Sequence, residues 1–375
     1  MSRRLAAAAL PLVLALAVGA SACGAVTSGD GARGDDGTYR IAFLLPENKT
    51  ARYESHDRPA FVERVAEVCP ECETIVSNAD QDAAHQQAQA EAAITNGADV
   101  LVLDPVDSRA ASVIARHADA AGIPVVSYDR LVFDAPVDFH ISFDNEQVGR
   151  LQASVLLDAV AARGVSSIDG PGSLVVLNGS PTDANVAQFR QGARMVFEAS
   201  GAPVGAEVDI PDWSPDQAQE AMERALATLG RDQVAGVYAA NDGVAGGAIA
   251  AMKAAGLDPL PPVTGQDAEL AAVRRILTGE QYMTVYKAVR TEAHAAADLA
   301  VSLARTGEPP EGLRNSWVDN EYASIPALML EPVAVTRDTI AATVVADGFW
   351  SVEEICDGLA AECAAAGLTE GGPAS

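Results

Sequence analysis

Three hundred and seventy-five residues, 49% hydrophobic and 21% charged, are too many for one ordinary domain and too apolar for a disordered chain, so two cores are expected. Fifty-two acidic against twenty-five basic side chains leave a formal charge of −27. With no basic excess to release counterions from phosphates, this balance argues against nucleic acid and anionic membrane surfaces as partners and favours a small neutral or cationic ligand.

The first segment stands apart from the fold. Arg3 and Arg4 precede an apolar and small stretch from Leu5 to Ala20, and Ala20, Ser21 and Ala22 lead into Cys23. A basic start, a short apolar run and small residues at a cleavage point spell an export signal over residues 1–22. Small residues directly before a cysteine resemble the bacterial lipobox, in which the cysteine is acylated and becomes the new N-terminus; the alternative is ordinary cleavage with Cys23 a bystander. Thr27 to Gly37 is rich in Gly, Asp and Ser and poor in apolar residues, so residues 23–38 read as a tether. The expected location is the outer face of the cytoplasmic membrane, held through Cys23. Removal of residues 1–22 takes away two arginines and no acids, leaving a formal charge of −29.

From Tyr39 onward, short apolar runs alternate with helical patterns. Ile41–Leu45 precedes a helix over Pro59–Val68, Thr74–Ser77 one over Ala83–Thr95, and Val100–Leu103 one over Ser108–Ala120, before Val125–Tyr128. Such alternation is the mark of βαβ units on a parallel sheet. After Phe139–Phe143 and a helix over Glu146–Ala161 the pattern begins again. Leu174–Leu177, Val204–Asp209, Gly236–Ala239 and Pro262–Thr264 each precede a helix, over Asn185–Ala199, Pro215–Leu229, Val244–Ala254 and Glu269–Leu277. A second set implies a second α/β lobe and a cleft between the two. Tyr282–Tyr286, a helix over Thr291–Arg305, the apolar stretches Ser324–Leu330 and Pro332–Val335, and an acidic helix over Val352–Ala365 are too few for a third domain. They are expected to complete the two lobes, with 39–144 and 286–320 in the first and 145–285 and 321–366 in the second. Several crossings between lobes make a hinge.

Besides Cys23, four cysteines remain, and an even number in an exported chain suggests two disulfides. Closeness in sequence favours Cys69 with Cys72 and Cys356 with Cys363. Seven residues of helix separate Cα atoms by about 10 Å, beyond the reach of a disulfide. The last helix is therefore expected to break, at Gly358. Cys69 and Cys72 also form a C-x-x-C motif, but Pro70 and acids around it favour a structural staple over a redox pair.

Polar residues follow strand after strand: Asp104 after Val100–Leu103, Asp129 and Arg130 after Val125–Tyr128, Asn178 and then Asp183 and Asn185 after Leu174–Leu177, Asn241 and Asp242 after Gly236–Ala240, and Gln266 and Asp267 after Val263–Gly265. Strand carboxyl ends are where open α/β sheets bind ligands. Any single Asp or Asn there also serves to cap the next helix. Five such ends with Arg130 and Lys287 among them point to a shared polar site. Carboxylates and amides supply acceptors and forks, Arg and Lys supply donors, and each hydroxyl of a polyhydroxylated ligand uses both. Trp213 and Tyr53 offer flat faces for a sugar ring.

Catalytic signatures are sparse. His56, His85, His117, His140 and His294 lack metal-ligand spacing, and neither a phosphate loop nor a nucleophile elbow is present. No metal, cofactor or enzymatic activity is expected. A sugar-processing enzyme, in which two of the carboxylates act as a pair, is the minority reading. Gly246 and Gly247 lack dinucleotide-binding spacing and read as tight helix packing.

Six ordered stretches resemble bacterial periplasmic sugar-binding proteins of the ribose/xylose group, in particular the D-xylose-binding proteins of ABC transporters. They are Val126 to Leu131 (VSYDRL), Ile141 to Glu146 (ISFDNE) with Val148 and Gly149, Gly179 to Asp183 (GSPTD), Asn241 and Asp242 with Ala245 to Ile249 (AGGAI), Thr264 to Ala268 (TGQDA) and Met283 to Lys287 (MTVYK). The resemblance spans roughly Arg40 to Phe349. It implies the type I periplasmic binding protein fold: two doubly wound parallel-sheet α/β lobes joined by a multi-crossover hinge. It also implies a monosaccharide, a pentose and foremost D-xylose, held between the lobes by Arg52, Tyr53, Asp129, Arg130, Asp183, Asn185, Trp213, Asn241, Asp267 and Lys287. A membrane ABC permease would be the partner and the protein a monomer; a chemoreceptor or histidine kinase is the alternative partner. The sequence departs from the xylose binders at Tyr53, where they carry Trp, and over Pro46 to Thr50.

Overall fold

The computed structural model describes residues 37–164 and 172–368; the export signal, Cys23 and nearly all of the tether lie outside the described residues. In the first lobe β1 (Tyr39–Leu45), β2 (Cys72–Asn78), β3 (Val100–Leu103), β4 (Val125–Tyr128) and β5 (Phe139–Phe143) pair in parallel in the order β5-β4-β3-β1-β2. The strands between them are connected by α1 (Arg58–Val68), α2 (Ala83–Thr95) and α3 (Ser112–Ala120). Both faces of the sheet are covered, which is why its central strands β1 and β3 are near-continuous apolar runs. Ile41, Phe43, Val100 and Val102 belong to one buried layer with Phe61 and Val65 of α1. Ala42, Leu44, Leu101 and Leu103 belong to the opposite layer with Ala90 of α2 and Ile114 of α3.

The second lobe is built from α4 (Asn145–Ala162), β6 (Ser173–Asn178), α5 (Ala184–Ser200), β7 (Val204–Asp209), α6 (Pro215–Leu229), β8 (Val234–Ala239), α7 (Asp242–Ala254), α8 (Leu270–Thr278) and β9 (Met283–Tyr286). Its parallel strands run β7-β6-β8. A bridge from Val237 to Val263, and hydrogen bonds from Tyr282 N to Val263 O (2.9 Å) and Val285 N to Gly265 O (3.0 Å), carry the sheet on to β9. Glycines let the helices close up. A Cβ on Gly149 of α4 would lie 2.0 Å from Phe189 O of α5, and one on Gly247 of α7 would lie 2.1 Å from Pro215 O of α6.

The remaining chain returns to both lobes as α9 (Val289–Thr306), β10 (Ser316–Asp319), β11 (Ser324–Leu330), β12 (Val333–Thr336), α10 (Val352–Cys356) and α11 (Ala360–Ala365). α9 covers the first lobe's sheet, with Ala293, Ala297 and Leu299 in the layer of Phe43. One sequence expectation is corrected here. Ser324–Leu330, assigned on sequence to the second lobe within 321–366, pairs in parallel with β5, from Ala327 opposite His140 to Leu330 opposite Phe143. An apolar run of this kind suits either sheet, and the free edge of β5 takes it. The crossing into the second lobe therefore comes after Leu330, where β12 pairs antiparallel with β9. Asp144 N donates to Leu330 O (2.9 Å), tying this crossing to the one that follows β5. Asp144 also caps α4 by accepting from Gln147 N at 2.8 Å.

The expected acidic helix over Val352–Ala365 is two short helices, parted at Asp357 and Gly358, the latter with φ +71°. The break brings the Cα atoms of Cys356 and Cys363 to 5.9 Å, and those of Cys69 and Cys72 are 5.3 Å apart, each pair with its sulfurs at bonding distance.

Candidate ligand-binding site

Strand ends of both lobes converge on one small pocket lined by buried side chains. Nine of the ten residues singled out on sequence line it: Tyr53, Asp129, Arg130, Asp183, Asn185, Trp213, Asn241, Asp267 and Lys287. Arg52, the tenth, lies directly behind. It is clamped by Asp57, with Nε to Oδ2 at 3.0 Å and Nη2 to Oδ1 at 2.8 Å, and by Glu292 at 3.2 Å. From there it presents Nη2 to Asp129 at 3.1 Å. Of the other three lining residues, Gln266 was read on sequence only as a polar strand end, and Thr50 and Phe189 were not singled out.

The first lobe contributes three loops. The loop after β1 carries Thr50, Arg52 and Tyr53. Residue Asp129, after β4, has φ +50°, a strained conformation for a residue other than glycine. Its backbone is held by Asp129 N to Ile141 O (2.8 Å) and by Ser142 Oγ to Asp129 O (2.7 Å). Tyr53 Oη donates to Asp129 Oδ2 (3.3 Å) and accepts from Arg130 Nη2 (3.2 Å). Glu47 and Asp104, both buried, face Arg130 at 3.7 and 3.6 Å. Lys287, after β9, stands 3.4 Å from Asp267 and 3.9 Å from Asp129.

The second lobe supplies helix starts. Asp183 caps α5 by accepting from Asn185 N (2.8 Å), and Asn241 caps α7 by accepting from Val244 N (2.9 Å). Both capping residues also line the pocket. Asn185 Nδ2 reaches across to Asp129 Oδ1 at 3.0 Å. Trp213 sits on a turn in which Asp212 and Trp213 both have φ +55°. Its ring lies over Gly179, where a Cβ would fall 2.0 Å from Cη2.

Burial and charge act against each other at this site. Burial disfavours the Asp129 carboxylate, but Lys287, Arg52 and Arg130 outweigh it and hold the group well below the usual carboxylate range. Burial raises Asp183, Asp104 and Glu292, against the pull of their arginine partners. The site thus keeps a fixed acceptor, Asp129, among fixed cations. Trp213 Nε1, Asn185 Oδ1, Gln266 Oε1 and Asp267 Oδ1 are buried and make no hydrogen bond to the described residues. Donors and acceptors without a hydrogen bond, beside an aromatic plate, form a recognition surface for a small polar molecule.

Residues 41–309 match the periplasmic binding protein domain. The chain belongs to the periplasmic binding protein family. The D-xylose-binding periplasmic protein of Escherichia coli (strain K12) is 35% identical over 320 residues, which cover 84% of this chain and 92% of the relative. The multiple sugar-binding periplasmic receptor of Rhizobium radiobacter is 32% identical over 292 residues, covering 74% and 81%. Among solved structures of the family's fold, an ABC transporter solute-binding protein from Clostridium phytofermentans with bound β-D-glucose superposes with a TM-score of 0.77 at 25% identity, covering 84% of this chain and 99% of that one. A carbohydrate transporter solute-binding protein from Chloroflexus aurantiacus, in complex with D-glucose, gives 0.74 at 28% identity, covering 84% and 98%. The two solved structures share this chain's fold, and the proteins named here are receptors and binding proteins rather than enzymes.

Proposed function

We propose that this chain is the extracytoplasmic receptor of an ABC importer and binds a monosaccharide, foremost D-xylose, between two lobes that close on it. The observation that carries this reading is the convergence of Asp129, Arg130 and Lys287 from one side and Asp183, Asn185, Trp213, Asn241 and Asp267 from the other on a single buried cavity. Arg130 and Lys287 act as donors, with Arg52 behind them holding Asp129, the carboxylates act as acceptors, and Trp213 as a plate for the C–H face. The names of the xylose-binding relatives support the choice of pentose. Contacts made to the ligand from both lobes favour the closed arrangement, which a permease then recognises; no chemistry on the sugar is involved.

In this reading the protein is a monomer anchored through an acylated Cys23, and Cys69–Cys72 and Cys356–Cys363 are structural disulfides. Cys23→Ser should release the protein from the membrane fraction; retention would count against acylation. For the ligand, Trp213 fluorescence should change saturably with D-xylose and that change should vanish in Trp213→Phe. If D-xylose, D-ribose, L-arabinose, D-glucose and D-galactose all fail to saturate the signal, the receptor reading is wrong.

A further inference from the structure

Among the described residues, three hydrogen bonds join two turns across the cleft, beside the pocket rather than in it. The first lobe's turn follows β3, at residues 104–108; the second lobe's turn follows β6, at residues 179–183, and leads into α5. Ser108 N donates to Thr182 O at 3.0 Å, Ala184 N donates to Ser108 Oγ at 3.0 Å, and Thr182 Oγ1 donates to Val106 O at 3.2 Å. Val106, Ser108, Thr182 and Ala184 stand outside the residues that line the pocket.

The first-lobe turn is held by its own lobe. Gln86 of α2, buried, donates from Nε2 to Asp104 O at 2.7 Å and accepts at Oε1 from Val106 N at 2.9 Å. Phe133 N donates to Ser108 O at 2.9 Å. On the other side, Ala184 is the first residue of α5, and the first N–H groups of a helix have no partner within it. The acceptor for this one comes from the opposite lobe. Ala184 also belongs to the first lobe's buried layer, with Ile114 of α3 and Leu131. Thr182 and Ala184 flank Asp183, so the same bonds bring its carboxylate against Arg130.

We propose that Ser108 and Thr182 form a latch: they are positioning residues that favour the closed lobes without touching the sugar, and they set how long a sugar is held rather than which sugar is chosen. The bonds exist only where the lobes meet. With the lobes apart their donors and acceptors return to water, so the net contribution of each bond is modest and its loss is felt as easier opening. A bound sugar leaves through the open form, and the latch is therefore read in the dissociation rate. Having no contact with the sugar, it acts on every sugar by one factor.

The inference rests on the receptor reading, and the test separates the two. Dissociation of D-xylose, D-ribose, L-arabinose, D-glucose and D-galactose is followed by stopped-flow Trp213 fluorescence for the wild type, Ser108→Ala, Thr182→Val and Thr182→Ser, with circular dichroism as the check on folding. Thr182 is exposed, so its variants should fold as the wild type does. Thr182→Val keeps the shape and loses the hydroxyl, and Ser108→Ala leaves Ala184 N without its acceptor. Each should release every sugar that binds faster, by a common factor of about three to ten. Thr182→Ser keeps the hydroxyl and should stay within about twofold of the wild-type rate. An unchanged rate in either Thr182→Val or Ser108→Ala, a factor that differs from sugar to sugar, or a Thr182→Ser rate as fast as that of Thr182→Val would overturn the inference alone. A wild type that binds none of the five sugars would overturn the receptor reading and the inference with it.

Discussion

Arg130 of the first lobe and Asp183 of the second meet across the cleft, with Nε 2.9 Å from a carboxylate oxygen and both side chains buried. The same guanidinium faces Glu47 and Asp104 and donates to Tyr53 Oη and, at 3.3 Å, to Pro105 O. One cation thus organises three buried carboxylates. Arg130→Met would leave all three without it, and breaking a buried pair from one side costs on the order of 3–5 kcal/mol. We expect this variant to bind sugar at least about a hundredfold more weakly, by calorimetry, and to melt at a lower temperature. Affinity within about tenfold of wild type would contradict the role given to Arg130.

Gly179 sets the position of the Trp213 plate. A Cβ there would stand 2.0 to 2.4 Å from three ring atoms, closer than any real contact, and the ring is carried on a turn with φ +55° at two successive residues. Gly179→Ala should move the ring rather than the strand, at a cost of about 1–3 kcal/mol in ligand binding. The check is calorimetry beside circular dichroism: weaker binding with an unchanged fold is expected.

His140 on β5 is buried, with Nδ1 3.1 Å from Ser127 O. Burial pushes its pKa down to about 4 from an ordinary 6.5. The unfolded chain therefore takes up a proton that the folded chain refuses. The stability that results is present above the ordinary value and is lost as pH falls toward the depressed one, by up to about 1.4 kcal/mol per pH unit. In urea titrations between those two values, His140→Asn should show a shallower acid loss than wild type. Parallel profiles would mean that His140 is not the group responsible.

The outline of both lobes was legible because a parallel sheet covered on two sides writes itself as short apolar runs. Val100–Leu103 is uninterrupted, Val125–Tyr128 is broken only by Ser127, and a polar residue marks the end of each. That end is where the site lies, so Asp129, Arg130, Asn241 and Asp267 stood out. Phe189 carried a usable signal, one helical turn beyond Asn185 on α5. Gln266 was visible as a strand end but drew no role. Glu292 was not legible, because its partner Arg52 is 240 residues away and only the packing of α9 brings them together. The lobe membership of β11 failed for the same reason: its apolar pattern says strand, while the choice of β5 as neighbour is non-local.

The central claim is that the cavity between Asp129 and Trp213 holds one monosaccharide. Calorimetric titration of the mature protein with D-xylose, against D-ribose, L-arabinose, D-glucose and D-galactose, tests it most directly. The account predicts one site per chain, with D-xylose bound at a Kd on the order of micromolar or tighter, about −8 kcal/mol. Binding of none of these sugars below the millimolar range would contradict it.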